Sequence, residues 1–258
     1  MKQGHDQGLT MTEHALLLQI VQYSFWIGFS AMAAGVVYFA LERQSLAVEY
    51  QLVGTLSAAL VAIAAINYWE MKDFAFLAAD GEIVFPTAFR YVDWLLTTPM
   101  LLAIIPLLLG LEKGRGALMA QLVIADVVMI VTGYIGEVSI NDGLLPTTVG
   151  WIFYAIGVLA FFYILFVLFA TMSAAQARLP AERARAIGAL KTFIALGWTI
   201  YPLGFFVTLI GDGAGAGLMR ELIYNIADVI NKVGFCMIAV AAAKSASYVR
   251  ADAVEAPA

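Results

Sequence analysis

Charged residues are scarce in this sequence. Only 13% of its 258 residues are Asp, Glu, Lys or Arg, whereas 62% are hydrophobic; an average soluble domain is about one quarter charged. The mean hydropathy of +0.88 is also far above that of a soluble domain. These values exclude an ordinary soluble globular protein and predict a membrane protein whose apolar surface is covered by lipid.

Cysteine and histidine are also rare, and the chain has no excess of basic residues. The single cysteine, Cys236, excludes an internal disulfide, and its ordinary interpretation is a small apolar packing residue. The two histidines, His5 and His14, lie in or near the N-terminal tail, and no metal site is predicted. A net charge of −5 with dispersed basic residues argues against nucleic acid as a partner.

Long apolar runs, in contrast, occur seven times. Each is close to or above the roughly 20 residues that a helix needs to cross a bilayer, and a backbone in lipid must satisfy its own hydrogen bonds, so all spans are predicted to be helical. The predicted spans are residues 15–41, 50–71, 85–110, 116–136, 147–172, 186–210 and 217–247. We expect an all-α membrane protein, a seven-transmembrane-helix bundle.

The connections between these spans are short, so one compact domain is predicted over residues 1–250. The remaining residues, 251–258, are predicted to be a short disordered tail. The connection at 73–84 is the one long enough to fold on itself, and its Asp-Gly step suggests a small hairpin.

Lysine and arginine are distributed unevenly between the two ends of the spans. One side carries only Lys2 and Lys72 in its loops and tail. The other side carries Arg43, Lys113, Arg115, Arg178, Arg183, Arg185, Lys191, Lys244 and Arg250. Because basic loops stay in the cytoplasm, this asymmetry predicts that the N-terminus is outside and the C-terminus cytoplasmic.

Charged residues inside the spans point to a function. The third span contains Arg90 and Asp93, and the seventh contains Asp228 and Lys232 one turn apart. Such groups are costly at bilayer depth, so they are either functional or paired for packing. In the functional interpretation, the Lys232 amine condenses with an aldehyde to form a Schiff base. Its protonated form then needs a counter-ion, which Asp228 supplies and the third helix can supplement.

Two further patterns accompany these charges. Asp93 and Thr97 are spaced i, i+4, so a carboxylate and a hydroxyl share one helical face. In the sixth span, "WTIYPLGF" sets an aromatic wall beside a proline kink. Alone, the wall indicates core packing, but together with the lysine and the carboxylates it suits a flat apolar ligand.

Four motifs in the spans carry a family resemblance: "RYVDWLLTTP" in the third, "LVIADVVMIVTG" in the fourth, "GWTIYPLGFF" in the sixth and "LIYNIADVINK" in the seventh. With these motifs the sequence resembles the microbial rhodopsins, most closely the proteorhodopsin-like branch of bacterial light-driven proton pumps. The resemblance implies a single retinal-binding domain in which Lys232 holds all-trans retinal as a protonated Schiff base. Asp93 would be the proton acceptor and counter-ion, Asp228 the second counter-ion, and Arg90 the cation on the outer side.

The resemblance also implies a retinal pocket between two tryptophans. The residues expected to line it are Tyr91, Trp94, Thr98, Leu101, Met129, Trp198, Tyr201, Pro202 and Phe205. Thr97 would hydrogen-bond Asp93, and Asp126 would reach Thr98. Leucine at position 101 implies absorption of green light. Tyr154 stands where carotenoid-binding relatives carry glycine, so we do not expect a carotenoid antenna to bind.

One departure from the family pattern concerns the cytoplasmic side. Outward pumps usually place a carboxylate eleven residues after the acceptor, about 16 Å toward the cytoplasm, whereas this sequence has Ile104. We therefore expect a light-driven outward proton pump in which the Schiff base is reprotonated slowly and directly from cytoplasmic water. On the outer side, Arg220 beside Glu221 predicts a surface ion cluster and late proton release.

Alternative functions remain open. A sensory rhodopsin signalling through a separate transducer also tolerates an apolar residue at 104, and a retinal-free transporter could use the same charged residues as a proton relay. The preferred expectation is a photoactive ion transporter rather than an enzyme. It would be a multi-pass protein of the bacterial cytoplasmic (inner) membrane that forms homo-oligomers, with protons and the lipid bilayer as its other partners.

Overall fold

The described part of the chain is almost entirely helical. The computed structural model describes residues 11–77, 88–111, 114–210 and 214–255, and these ranges contain no β-strand. The α-helices are α1 (Met11–Glu42), α2 (Gln51–Leu77), α3 (Ala88–Leu108), α4 (Arg115–Asp142), α5 (Thr147–Gln176), α6 (Ala181–Thr192), α7 (Ile200–Ile210), α8 (Ala214–Val229) and α9 (Phe235–Glu255).

Seven helical stretches are long and apolar enough to cross a membrane, which confirms the predicted number of spans. The first five correspond to α1–α5, while the sixth covers Ala181–Ile210 and the seventh Gly215–Tyr248. Helix α2 continues to Leu77, past the predicted start of the loop at 73, and residues 78–87 with the expected hairpin lie outside the described residues. At the other end, α9 extends beyond the predicted boundary at 250 to Glu255.

The sixth and seventh spans are each interrupted by a π-helical segment. Phe193–Gly197 separates α6 from α7, and Ile230–Gly234 separates α8 from α9. The helix changes geometry at 193–199, directly before Pro202. Pro202 has no N–H for the Trp198 carbonyl four residues earlier, so this interruption lies where a proline kink acts. Pro202 lies in the first turn of α7, where a residue without an N–H costs few helical hydrogen bonds.

The third span (α3) and the seventh span are the two most buried in the bundle. The side chains buried around them are apolar in one half of the bundle and charged in the other. The half that holds the C-terminal part of α3 is a continuous apolar core that includes Leu102, Ile104 and Ile105. The half that holds the N-terminal part of α3 buries charged side chains, among them Arg90 and Glu221. The charged centre described below lies where these two environments meet.

Candidate functional site

A lysine and two aspartates meet in the middle of the bundle. Lys232 Nζ lies 2.7 Å from Asp93 Oδ2 and 3.0 Å from Asp228 Oδ2. All three side chains are buried, with at most 2% of each exposed. Lys232 belongs to the π-helical segment 230–234, Asp228 precedes it in α8 and Asp93 comes from α3, so one amine is shared by carboxylates from two spans.

The two carboxylates differ in how well their charge is stabilised. Asp228 accepts hydrogen bonds from Tyr68 Oη at 2.9 Å, Tyr201 Oη at 2.6 Å and Trp94 Nε1 at 3.3 Å. Asp93 Oδ2 contacts Lys232, whereas Asp93 Oδ1 has no hydrogen-bond partner among the described residues. Hydrogen bonds to a carboxylate favour its charged form, so the charge on Asp228 is the better stabilised of the two.

The threonines after Asp93 are held by their own helix. Thr97 Oγ1 donates to the backbone carbonyl of Asp93 at 2.9 Å, so the expected bond from Thr97 reaches the main chain and not the carboxylate. This contact is the usual bond of a helical threonine to the carbonyl four residues earlier. Thr98 Oγ1 lies 2.7 Å from the Trp94 carbonyl and 2.8 Å from Asp126 Oδ2, the contact with Asp126 that the sequence predicted.

Beside this charged centre lies an apolar cavity. The predicted pocket residues that line it are Tyr91, Trp94, Thr98, Met129, Trp198, Tyr201, Pro202 and Phe205. The lining residues that the sequence analysis did not name as pocket residues are Ile130, Gly133, Glu137, Tyr154, Gly157, Val158, Phe161 and Tyr224. Leu101 is buried in the apolar core and does not line the cavity in this structure.

The end of the cavity at Trp94 and Tyr201 approaches the amine. Both side chains line the cavity and both donate to Asp228, which pairs with Lys232. The rings of Trp94 and Tyr201 are 4.9 Å apart at an interplanar angle of 62°. An apolar aldehyde would therefore find an aromatic wall along its length and a buried amine at its reactive end, while the unpartnered Asp93 Oδ1 offers an acceptor there.

A buried chain of ion pairs extends from this centre along the N-terminal half of α3. Arg90 contacts Glu221 at 2.6 Å and lies 3.8 Å from Asp228. Arg220 contacts Glu221 at 2.9 Å and Glu137 at 3.0 Å. The expectation of a surface cluster at Arg220 and Glu221 is therefore wrong, because these side chains are 8% and 3% exposed.

Glu137 is a site residue that sequence reasoning missed. Its Oε2 accepts a hydrogen bond from Tyr91 Oη at 2.8 Å, and its side chain borders the cavity. The predicted fourth span stopped at 136, so Glu137 lay just outside it and was not considered as a site residue. The available signal was its spacing, since eleven residues from Asp126 is about three turns and returns to the same helix face.

Sequence reasoning also missed two tyrosines and one asparagine near the charged centre. Tyr68 binds Asp228, Tyr224 Oη donates to the Tyr201 carbonyl at 2.8 Å, and Asn231 lies beside Lys232 in the seventh span. Tyrosines in apolar helices are common, so their spacing alone carries no signal for this role.

Toward the C-terminal end of α3 the surroundings of Lys232 become apolar. Ile104 is fully buried in the apolar core, as is Cys236, one turn beyond Lys232. The described carboxylates of this half lie at its periphery. Glu42 at the end of α1 pairs with Lys244 at 2.7 Å, and Glu49 and Glu182 are exposed. No described carboxylate side chain lies between Lys232 and that end of the bundle.

Comparison with known proteins identifies the family. The sequence model described as "Bacteriorhodopsin-like protein" matches residues 19–246. The green-light absorbing proteorhodopsin of Gamma-proteobacterium EBAC31A08 is 36% identical over 83% of both chains. The crystal structure of Exiguobacterium sibiricum rhodopsin is 47% identical, with a TM-score of 0.79 over 89% of this chain and 98% of its own.

A second solved structure, that of xanthorhodopsin, is described as a light-driven ion pump with dual chromophore. It is 30% identical, with a TM-score of 0.82 over 94% of this chain and 98% of its own. These matches cover all seven spans, so this chain is a multi-pass membrane protein. The chain belongs to the bacteriorhodopsin-like family of microbial rhodopsins and has proteorhodopsins among its relatives.

Proposed function

We propose that this protein is a light-driven outward proton pump that carries all-trans retinal on Lys232 as a protonated Schiff base. The observation that carries the proposal is the unequal pair of carboxylates around one buried amine. Rhodopsins of this family use retinal as their chromophore, and the apolar cavity with its aromatic wall fits that group. Bound retinal supplies light absorption and a change of shape that turns the proton on Lys232 Nζ.

Asp93 is the group that receives this proton. Its Oδ2 is 2.7 Å from Lys232 Nζ, within direct transfer distance. Asp228 is equally close to the amine, but its negative charge is held by Tyr68, Tyr201 and Trp94 and by the nearby Arg90. The proton therefore moves to the carboxylate that has fewer donors, and Asp228 remains charged beside it.

The direction of transport follows from the two halves of the bundle. Asp93 lies in the N-terminal part of α3, the half in which Arg90, Glu221, Arg220 and Glu137 form a polar path. The opposite half is an apolar barrier. With the N-terminus outside, as the basic loops indicate, a proton on Asp93 leaves toward the outside of a bacterial cytoplasmic membrane.

Release of the proton is proposed to be late in the cycle. Both glutamates of the polar path are paired with arginines, and Glu137 also accepts from Tyr91. An arginine beside a carboxylate favours its charged form, and the proposal of late release rests on this pairing. The proton that appears outside is then the one carried by Asp93.

Return of a proton to Lys232 is proposed to be slow. Ile104 and its apolar neighbours provide no donor, so the proton comes directly from cytoplasmic water. Its rate then falls as the pH rises, because the supply of protons in that water falls. Independence from pH, together with no acceleration by azide, would reveal an internal donor and contradict this step.

Further properties belong to the same proposal. Tyr154 fills the cavity wall, with its ring 4.7 Å from that of Phe205 and its hydroxyl 3.2 Å from the Pro202 carbonyl, so a carotenoid antenna is not expected to bind there. Green absorption is proposed from the family resemblance, since Leu101 does not line the cavity in this structure. Homo-oligomers in the membrane are expected, and a photoactive transporter of this kind is not an enzyme.

The test is the pH of a suspension of illuminated cells. Cells with the wild-type protein should acidify the medium, a protonophore should abolish the change, and Asp93→Asn should form a pigment that does not acidify. A pigment that gives no light-driven proton current with Asp93 intact would favour the sensory alternative with a separate transducer. A colourless purified wild-type protein would favour the retinal-free relay.

A further inference from the structure

The two π-helical segments of the bundle face each other beside Lys232. In an unbroken helix the Tyr201 N–H would donate to the Gly197 carbonyl, but here it donates to the Trp198 carbonyl at 3.2 Å. The i+5 donor of a π-helical pattern would be residue 202, but that residue is a proline and has no N–H. Asn231 Nδ2, from the opposite π-helical segment, donates to Gly197 O at 3.0 Å and replaces that donor.

The fit between these segments requires a glycine. A Cβ built on Gly197 would lie 1.8 Å from Asn231 Oδ1, so any side chain at 197 would displace the amide. Asn231 is 3% exposed, and its Oδ1 has no hydrogen-bond partner among the described residues. The amide is thus held against the sixth span through its nitrogen.

The same amide nitrogen reaches the counter-ion through a tyrosine. Asn231 Nδ2 is 3.3 Å from Tyr201 Oη, and Tyr201 Oη donates to Asp228 Oδ1 at 2.6 Å. Asp228 in turn pairs with Lys232 at 3.0 Å. A continuous line of polar contacts therefore joins the Gly197 carbonyl of the sixth span to the charged amine of the seventh.

We propose that Asn231 is a positioning residue that couples the charge state of Asp228 and Lys232 to the backbone of the sixth span at Gly197. The Asn231 amide donates to the Tyr201 hydroxyl oxygen, so the hydroxyl proton of Tyr201 points at Asp228. Hydrogen bonds linked in series in this way strengthen one another. A change of charge at Asp228 and Lys232 alters the Tyr201 bond and, through Asn231, the contact at Gly197. The inference rests on the proposed function, since the charge change is produced by light.

The coupling has a sign that can be measured in the dark. Removing the Asn231 amide weakens the donation from Tyr201, which leaves the negative charge of Asp228 more concentrated. That charge then attracts the positive charge at Lys232 Nζ more strongly. Because localising the positive charge on the nitrogen raises the excitation energy, the pigment should absorb at shorter wavelength.

The first experiment is a double-mutant cycle on the absorption maximum of the purified pigment. Asn231→Ala and, as a variant that keeps the volume, Asn231→Leu should both shift absorption to shorter wavelength. If Asn231 acts through Tyr201, Asn231→Ala introduced into Tyr201→Phe should add less than half of the shift that it causes alone, since the mutations are coupled. An equal shift in both backgrounds would overturn the proposal.

The second experiment approaches the contact from the other helix. Gly197→Ala should displace the flexible Asn231 amide and reproduce the shift of Asn231→Ala. Asn67→Ala is the matched control, because it also removes a side-chain amide, and the Asn67 amide donates to the Ile63 carbonyl of its own helix at 2.9 Å. A shift in Asn67→Ala as large as that in Asn231→Ala would also overturn the proposal.

Infrared spectra test transmission to the sixth span. With carbonyl-labelled glycine, the light-minus-dark spectrum should contain a labelled carbonyl band in wild type and Asn67→Ala that is lost in Asn231→Ala. Persistence of the whole band in Asn231→Ala would refute the coupling. Failure of the wild type to form pigment would instead refute the proposed function, so the two failures are distinguishable.

Discussion

Arg220 provides a sharp test of the polar path, because it is the only cation in contact with both of its glutamates in the described structure. In Arg220→Gln, Arg90 still pairs with Glu221, but Glu137 keeps only its bond from Tyr91. Leaving one partner of a buried ion pair uncompensated costs about 3–5 kcal/mol. Protonating a glutamate of ordinary pKa at pH 7 costs about 3.7 kcal/mol.

These two costs are comparable, so the variant should relieve the unpaired charge by binding a proton at Glu137 in the dark. When light moves the Lys232 proton onto Asp93, that carboxylate becomes neutral and Arg90 is attracted more strongly to the glutamates. The extra proton is then expelled. Arg220→Gln should therefore release a proton before it takes one up, the reverse of the order proposed for wild type.

The assay is the absorbance of a pH-sensitive dye after a flash, followed beside the absorbance of the pigment. Arg220→Lys is the matched control, since it retains a cation and should keep the wild-type order. If Arg220→Gln forms a normal pigment and still releases its proton late, the proposed link between arginine pairing and late release is wrong. Early release in wild type would contradict it as well.

Further predictions concern the amine, the apolar barrier and the packing of the bundle. Lys232→Ala should prevent colour from forming, and hydroxylamine under illumination should bleach the wild-type pigment; a coloured alanine variant would contradict covalent attachment. Ile104→Asp should speed decay of the deprotonated state about tenfold or more and reduce its dependence on pH. Ile104→Asn has no ionisable proton, so its decay should stay slow and dependent on pH. Gly204→Ala should destabilise the pigment by about 1–3 kcal/mol in thermal bleaching, because a Cβ there would lie 2.3 Å from the buried Tyr224 ring. Gly217→Ala is the control: a Cβ there has no atom within 4 Å, so this variant should be neutral or slightly stabilised.

The number of spans and the central charges could be predicted from sequence for the same reason. Lipid imposes a strong constraint on composition, so an apolar run of about 20 residues is visible without any knowledge of packing. Against that background each ionisable residue inside a span is conspicuous. Asp93, Asp228 and Lys232 were identified in this way, and the structure brings the three together.

The failures concern features that depend on two helices at once. The π-helical segment of the sixth span was not predicted: it lies at 193–197, directly before Pro202, and there the Asn231 amide donates to the Gly197 carbonyl. That contact joins residues 34 positions apart, so local sequence does not encode it. Glu137 was likewise not identified, because it lies just past the predicted helix end at 136, and its importance comes from Arg220, 83 residues away.

By itself, then, the sequence determined that the chain forms seven membrane-spanning helices with an amine and two carboxylates at their centre, because hydrophobic length and the cost of buried charge act on each helix separately. Only the tertiary structure decided how those charges differ. Asp228 gains Tyr68, Tyr201 and Trp94 as donors from three other helices, while Asp93 gains none of them. Hydrogen bonds act over about 3 Å, so that difference exists only once the helices are packed.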